Sequence, residues 1–222
     1  MRYTTFSYRD ADKTIKRHPS LGFEYQEIID VIKNISDSSL TKEFYKVMNE
    51  NPRSKSLSIP INNLIRNRLI KKGWKSEVGI RISGEIEEQG FSVHIHQSKW
   101  RIDFAKKNIA LEVAFNHNEA TAHNLIKPTL AGQFDYQDRT SLFDQDIKTK
   151  IGVIITVTNR LKKAGCFDGA IGTFESFLQY LDPYKKILDI PMMIIGLEPP
   201  EGFYIVRKKQ PGGQLKSVIE KI

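Results

Sequence analysis

Between residues 100 and 116 the apolar side chains recur at every second position, a period that commits this stretch to extended chain. Trp100, Ile102 and Phe104 alternate with Arg101, Asp103 and Ala105. After a turn at Lys106 to Asn108, Ile109, Leu111, Val113 and Phe115 alternate with Ala110, Glu112, Ala114 and Asn116. Two such runs joined by a short turn predict a hairpin. Just upstream, Phe91, Val93 and Ile95 alternate with Ser92, His94 and His96, a further half-buried strand. The continuous apolar runs Ile151 to Val157 and Met192 to Leu197 suit strands covered on both faces, and Phe203 to Val206 suits an edge strand.

Upstream of residue 73 the period is 3.6 instead. Ile28, Val31, Ile32 and Ile35 stripe a helix over Glu24 to Ile35, and Phe44, Val47 and Met48 stripe a shorter one over Leu40 to Met48. Pro60 suits the first turn of a third helix, which Gly73 ends. Further helices are expected over Glu119 to Gln137, with a kink or break at Pro128 and Gly132, and over Phe174 to Leu181. The fold this predicts is a single α/β domain over 1–222, with a mixed central β-sheet flanked by helices. A helical N-terminal layer (1–73) precedes a sheet core (74–208).

Lys and Arg number 34 against 26 Asp and Glu, a net charge of +8 that favours an anionic partner, either nucleic acid or an acidic membrane surface. The basic residues are dispersed, which fits a folded basic surface better than a polyanion-binding tail. Cys166 is the only cysteine, so an internal disulfide or a thiolate zinc site is excluded. The start MRYTTFSYRD lacks the apolar run of a secretion signal, and no run approaches the roughly 18 apolar residues of a membrane span. A cytoplasmic protein is expected, with no membrane partner.

Alternation puts Asp103 and Glu112 on the face turned away from the flanking core residues. Two carboxylates on adjacent strands can converge on one hard cation such as Mg²⁺. The plain alternative is a pair of acids on the wet face of a hairpin, which is commonplace. His94 and His96 share a strand face without a third ligand nearby, so a solvated or DNA-facing pair is the simpler reading. His117 and His123, with Asn116 and Asn118, form a polar cluster after the second strand. Asn side chains there suit adenine edges or a helix N-cap.

Asp103, eight intervening residues and then Glu112-Val113-Ala114-Phe115 resemble the PD-(D/E)XK nuclease core. In particular they resemble the type II restriction endonucleases of the BglII and BstYI kind. Tyr8-Arg9-Asp10-Ala11-Asp12, LIKKGW (69–74), Ile102-Asp103-Phe104, VIITVT (153–158) and Ile190-Pro191 with Gly196-Leu197 follow in the corresponding order, so the resemblance spans nearly the whole chain. It implies a Mg²⁺-dependent homodimer that cuts both strands of a short palindrome in double-stranded DNA. Such sites are often centred on GATC and cut to leave 5′ overhangs, and a cognate DNA methyltransferase accompanies the enzyme.

Carried over, Asp103 and Glu112 match the metal-binding carboxylates, and the Val113 carbonyl completes the shell. Glu77, three residues after Trp74, matches a further polar active-site residue, or is a surface acid at a strand start. The resemblance also implies base reading by Asn116, His117 and Asn118 and by the loop Thr158 to Thr173 with Asn159, Arg160, Lys162 and Lys163. That loop could instead contact phosphates only, as expected of Lys106. The motif's third position, usually Lys and sometimes Gln or Glu, is Ala114. Either this is natural variation and another group orients the nucleophile, Glu77 or a substrate phosphate oxygen, or it is an engineered change that silences the enzyme. The functional expectation is a type II restriction endonuclease. Its alternatives are a general DNA repair nuclease with the same core and a catalytically impaired or inactive DNA-binding protein of that fold.

Overall fold

The expected hairpin is the centre of the sheet. In the computed structural model β5 (Arg101–Lys106) and β6 (Ile109–Val113) pair antiparallel, with Phe104 opposite Leu111, Ala105 opposite Ala110 and Lys106 opposite Ile109. Lys107 makes the turn with a left-handed backbone, φ 46°. The structure describes residues 1–80, 85–88, 91–94, 100–133, 136–137, 149–210 and 213–222. Ile95 and His96 of the expected upstream strand lie outside them, while β3 (Glu85–Glu88) and β4 (Phe91–His94) pair as a separate two-stranded sheet.

The first residues contain a strand that the helical expectation for 1–73 did not include. β1 (Tyr3–Tyr8) pairs antiparallel with β9 (Met192–Leu197), from Tyr3 opposite Leu197 to Tyr8 opposite Met192. Its sequence YTTFSY is rich in strand formers but lacks strict alternation, so its order comes from the ladder that β9 offers. Four helices follow: α1 (Ala11–Arg17), α2 (Pro19–Lys33), α3 (Asp37–Glu50) and α4 (Ser58–Lys71). Pro60 sits in the first turn of α4, and Gly73 takes φ 81° just beyond its end, as expected.

With β2 (Lys75–Ile80), β7 (Tyr136–Gln137) and β8 (Ile151–Val157) the main sheet has seven strands in the order β1-β9-β8-β6-β5-β2-β7. The pairs β6–β8 and β8–β9 are parallel and the rest antiparallel, so the sheet is mixed. Every residue of β8 and β9 is buried, in agreement with their continuous apolar runs. The expected edge strand extends to Phe203–Lys209 (β10) and pairs with β11 (Leu215–Lys221) in a hairpin of its own.

The sheet's two faces are covered by different helices. Ile109, Leu111 and Phe104 pack with Ile28, Ile32, Ile61 and Ile65 of the N-terminal helices. The opposite face, with Ala105, Ala110 and Ala114, lies under α5 (Thr121–Gln133) and α7 (Phe174–Leu181). A short 3₁₀ turn (Asn118–Ala120) leads into α5, and α6 (Asn159–Ala164) follows β8. Of the kink or break expected at Pro128 and Gly132, a break does not occur, and α5 runs through both residues. The proline removes one amide from the helical ladder. Its ring instead approaches β8 where Gly152 has no side chain, since a Cβ on Gly152 would lie 2.8 Å from the Pro128 Cβ. This close approach seats α5 on the sheet and fixes the height of Lys127.

Candidate active site

The β5–β6 register places Asp103 directly across from Glu112 on the face under α5. Their side chains are held reciprocally. The Val113 amide donates to Asp103 Oδ2 at 2.8 Å, and the Asp103 amide donates to Glu112 Oε1 at 3.2 Å. The other Glu112 oxygen, Oε2, accepts from Lys127 Nζ of α5. Both acids line a cleft of about 160 Å³ bounded by Asn62 and Arg66 of α4, Glu77 of β2, and Asn116, Asn124 and Lys127.

Glu112 is only 1% exposed. Burial pushes its carboxyl up to about 8, and the charge of Asp103 adds to this while Lys127 opposes it. Burial also raises Asp103, with Glu77 adding and the Val113 amide and Lys127 opposing. Two adjacent desolvated carboxylates of this kind favour a nearby positive charge.

Glu77 sits in β2 between Ser76, opposite Phe104, and Val78, opposite Ile102, which sets it next to Asp103. Its backbone is left-handed, φ 55°, a conformation that costs a glutamate on the order of 1 kcal/mol or more. Its carboxylate is turned to Arg66, 3.6 Å away, and the Arg66 guanidinium lies over the Phe104 ring. Glu77 is therefore at the cleft, paired with a cation of α4. Among the described residues no three acids, histidines or cysteines are grouped to hold a metal, so the protein side-chain ligands on offer are Asp103 and Glu112.

Ala114, the departure from the motif, is 2% exposed and packs with Leu125 and Ile154. The residue that sequence reasoning missed is Lys127. It lies in a helix next to a proline, 15 residues after Glu112, and no spacing rule marks it.

The two segments expected to read bases do meet. His117 bridges to Ile171, and the Asn118 amide donates to the Ala170 carbonyl at 2.7 Å. His117, Asn118, Asn159 and Lys162 then line a groove of about 530 Å³, together with Thr173, Glu175, Ser176 and Gln179. Asn116 belongs instead to the carboxylate cleft, where its Oδ1 accepts from Asn124 Nδ2 at 2.9 Å. Asn118 Oδ1 accepts from the Thr121 hydroxyl at the start of α5. Arg160 pairs with Glu198 at 2.8 Å, and neither Arg160 nor Lys163 lines the groove. His123 stacks on Trp100, ring centroids 4.6 Å apart, and burial holds its pKa below the usual value, which fits a packing role.

Lys106, expected to contact phosphates, is engaged elsewhere. It lies on the other sheet face, where its ammonium donates to both Glu27 oxygens (3.0 and 2.8 Å) and to the Lys72 carbonyl (2.7 Å). Glu27 also accepts from Trp74 Nε1 at 2.9 Å, so Lys106 closes a buried network beneath the N-terminal helices.

No helix among the described residues is long and apolar enough to cross a membrane. The family model for restriction endonuclease BglII/BglIII matches residues 3–197. Among solved structures, restriction endonuclease BglII complexed with a DNA 16-mer superposes with a TM-score of 0.58 at 17% identity, over 100% of this chain and 93% of that one. Free BglII superposes with a TM-score of 0.52 at 15% identity, over 100% and 94%. A search of curated proteins finds no match. The chain belongs to the BglII/BglIII restriction endonuclease family, and its activity is that of a type II site-specific deoxyribonuclease.

Proposed function

We propose that the cleft of Asp103 and Glu112 hydrolyses phosphodiester bonds with Mg²⁺ bound to these two carboxylates and the Val113 carbonyl. The observation that carries this is the opposed carboxylate pair, Glu112 buried and Asp103 half-buried, lining a polar cleft. The donor chemistry suits the ion, since hard carboxylate oxygens line the cleft and, among the described residues, no histidine or cysteine does. When bound, such a cation lowers the pKa of its water and neutralises charge developing on the phosphoryl group. The protein's own share is to hold both carboxylates in place through backbone amides and to keep the cleft narrow.

The groove lined by His117, Asn118, Asn159 and Lys162 supplies donors and acceptors for base edges, while Arg160 and Lys163 beside it suit phosphates. The target we propose is a short palindrome centred on GATC, cut in both strands to leave 5′ overhangs. A homodimer reads it most simply, because protein and DNA symmetry then coincide. The reading places the enzyme in the cytoplasm, in a restriction–modification system with a cognate DNA methyltransferase.

Incubation with long duplex DNA and Mg²⁺, followed by sequencing of the cut ends, tests this. Discrete fragments with one end sequence support it, a smear indicates a general nuclease, and an end without a GATC core defeats that part. Ala114 is the observation behind a second reading, a DNA-binding protein without cleavage, which intact but retarded DNA would establish.

A further inference from the structure

Ala114 brings no polar group to the cleft. Ala114 is enclosed by Leu125 and Ile154, and a longer side chain there would have to displace that packing. The cleft nevertheless contains an ammonium, brought from the helix above. The Lys127 side chain is 11% exposed and touches Glu112.

Lys106 is a second partly buried lysine paired with a glutamate, and its surroundings differ. Lys106 has three acceptors, which match the three donors of an ammonium and make it a fully satisfied structural group. Lys127 has one acceptor among the described residues, Glu112 Oε2, and its remaining donors lie in the cleft. With one donor on Glu112 Oε2, the ammonium is placed to give its others to oxygen acceptors of a ligand in the cleft.

We infer that Lys127 is a catalytic residue that replaces the missing side chain at position 114: its ammonium donates to a non-bridging oxygen of the scissile phosphate and to the attacking water. In the step it serves, the water oxygen bonds to phosphorus while the bond from phosphorus to the leaving sugar oxygen breaks. One water proton passes to solvent and the sugar oxygen takes one from solvent, so Lys127 stays an ammonium throughout. Its contribution is orientation and electrostatic stabilisation of the developing charge. This rests on the nuclease reading above.

The alternative is that Lys127 is a plug, an internal cation that a metal ion displaces. Lys127→Met and Lys127→Ala distinguish the two, with thermal unfolding to verify folding. The measurements are single-turnover cleavage in Mg²⁺, DNA affinity in Ca²⁺, and Ca²⁺ binding without DNA by calorimetry. The expected result for both variants is Ca²⁺ binding at least as tight as wild type and DNA affinity within about threefold. Cleavage should slow by at least about 100-fold. Cleavage within about threefold of wild type overturns the inference, as does loss of Ca²⁺ binding in proportion to the loss of cleavage. An inert wild-type protein defeats the nuclease reading and this inference with it, whereas an active wild type with an active Lys127→Met defeats the inference alone.

Discussion

Asp103 and Glu112 are each anchored by the backbone of the other's strand, Asp103 Oδ2 on the Val113 amide and Glu112 Oε1 on the Asp103 amide. Neither carboxylate can rotate away without losing its backbone amide donor, so the pair is preorganised before any ligand arrives. Asp103→Asn or Glu112→Gln should therefore reduce Mg²⁺-dependent cleavage by at least about 100-fold while DNA retardation in Ca²⁺ survives. Cleavage near the wild-type rate in either variant would mean that the site lies elsewhere.

The raised carboxyls also predict how stability varies with pH. Glu112 titrates at about 8 in the folded chain against an ordinary 4.5, and Asp103 shifts in the same direction. A group raised on folding contributes stability that is fully present below its unfolded pKa and lost as pH rises through its folded pKa. Through this pair, the melting temperature without divalent metal should thus fall as pH rises from about 4.5 to about 8 and level off above, a fall that Glu112→Gln should reduce. Millimolar Ca²⁺ should flatten that slope by binding the ionised pair. A metal-free melting temperature that rises over this window would contradict the assigned environment.

Gly152 and Pro128 set the distance between α5 and the sheet. Gly152→Ala puts a methyl 2.8 Å from the Pro128 Cβ and 3.1 Å from Met192 Cγ, so the helix must move outward. Destabilisation of about 1–3 kcal/mol is expected in denaturant unfolding. Cleavage should decline further than stability alone explains, because Lys127 is drawn off Glu112. An unchanged cleavage rate in the folded variant would separate Lys127's position from α5 docking.

Lys106→Met should leave Glu27 short of its cation and cost about 1–3 kcal/mol of folding stability, the penalty of a buried acceptor left unpaired. The salt dependence of DNA binding should be unchanged. A shallower salt slope in the folded variant would restore Lys106 to the phosphate contacts.

In the recognition groove, Asn159→Ala and His117→Ala should weaken cleavage at particular base pairs by about 1–3 kcal/mol per lost contact. Arg160→Ala, whose guanidinium is paired with Glu198, should change affinity without changing the preferred site. Profiling cleavage across single-base variants of the target separates these outcomes.

Periodicity in the sequence was sufficient for the hairpin of β5 and β6, the buried strands β8 and β9, helices α2 to α4 and α7, and the shared face of Asp103 and Glu112. Each of these depends on which side a residue faces within its own element, and that is a local property of a 3.6- or 2-residue repeat. The tertiary structure alone decided that Lys127 reaches Glu112, that Lys106 is consumed by Glu27, and that His117 and Asn159 share one groove. It also recruited β1 to the sheet edge and let α5 pass through Pro128. These depend on where one element lands on another, which is set by the space above Gly152, the open ladder of β9 and the loop closing at Ile171. No repeat within a segment carries such information, because the partner that determines each contact is a distant part of the chain.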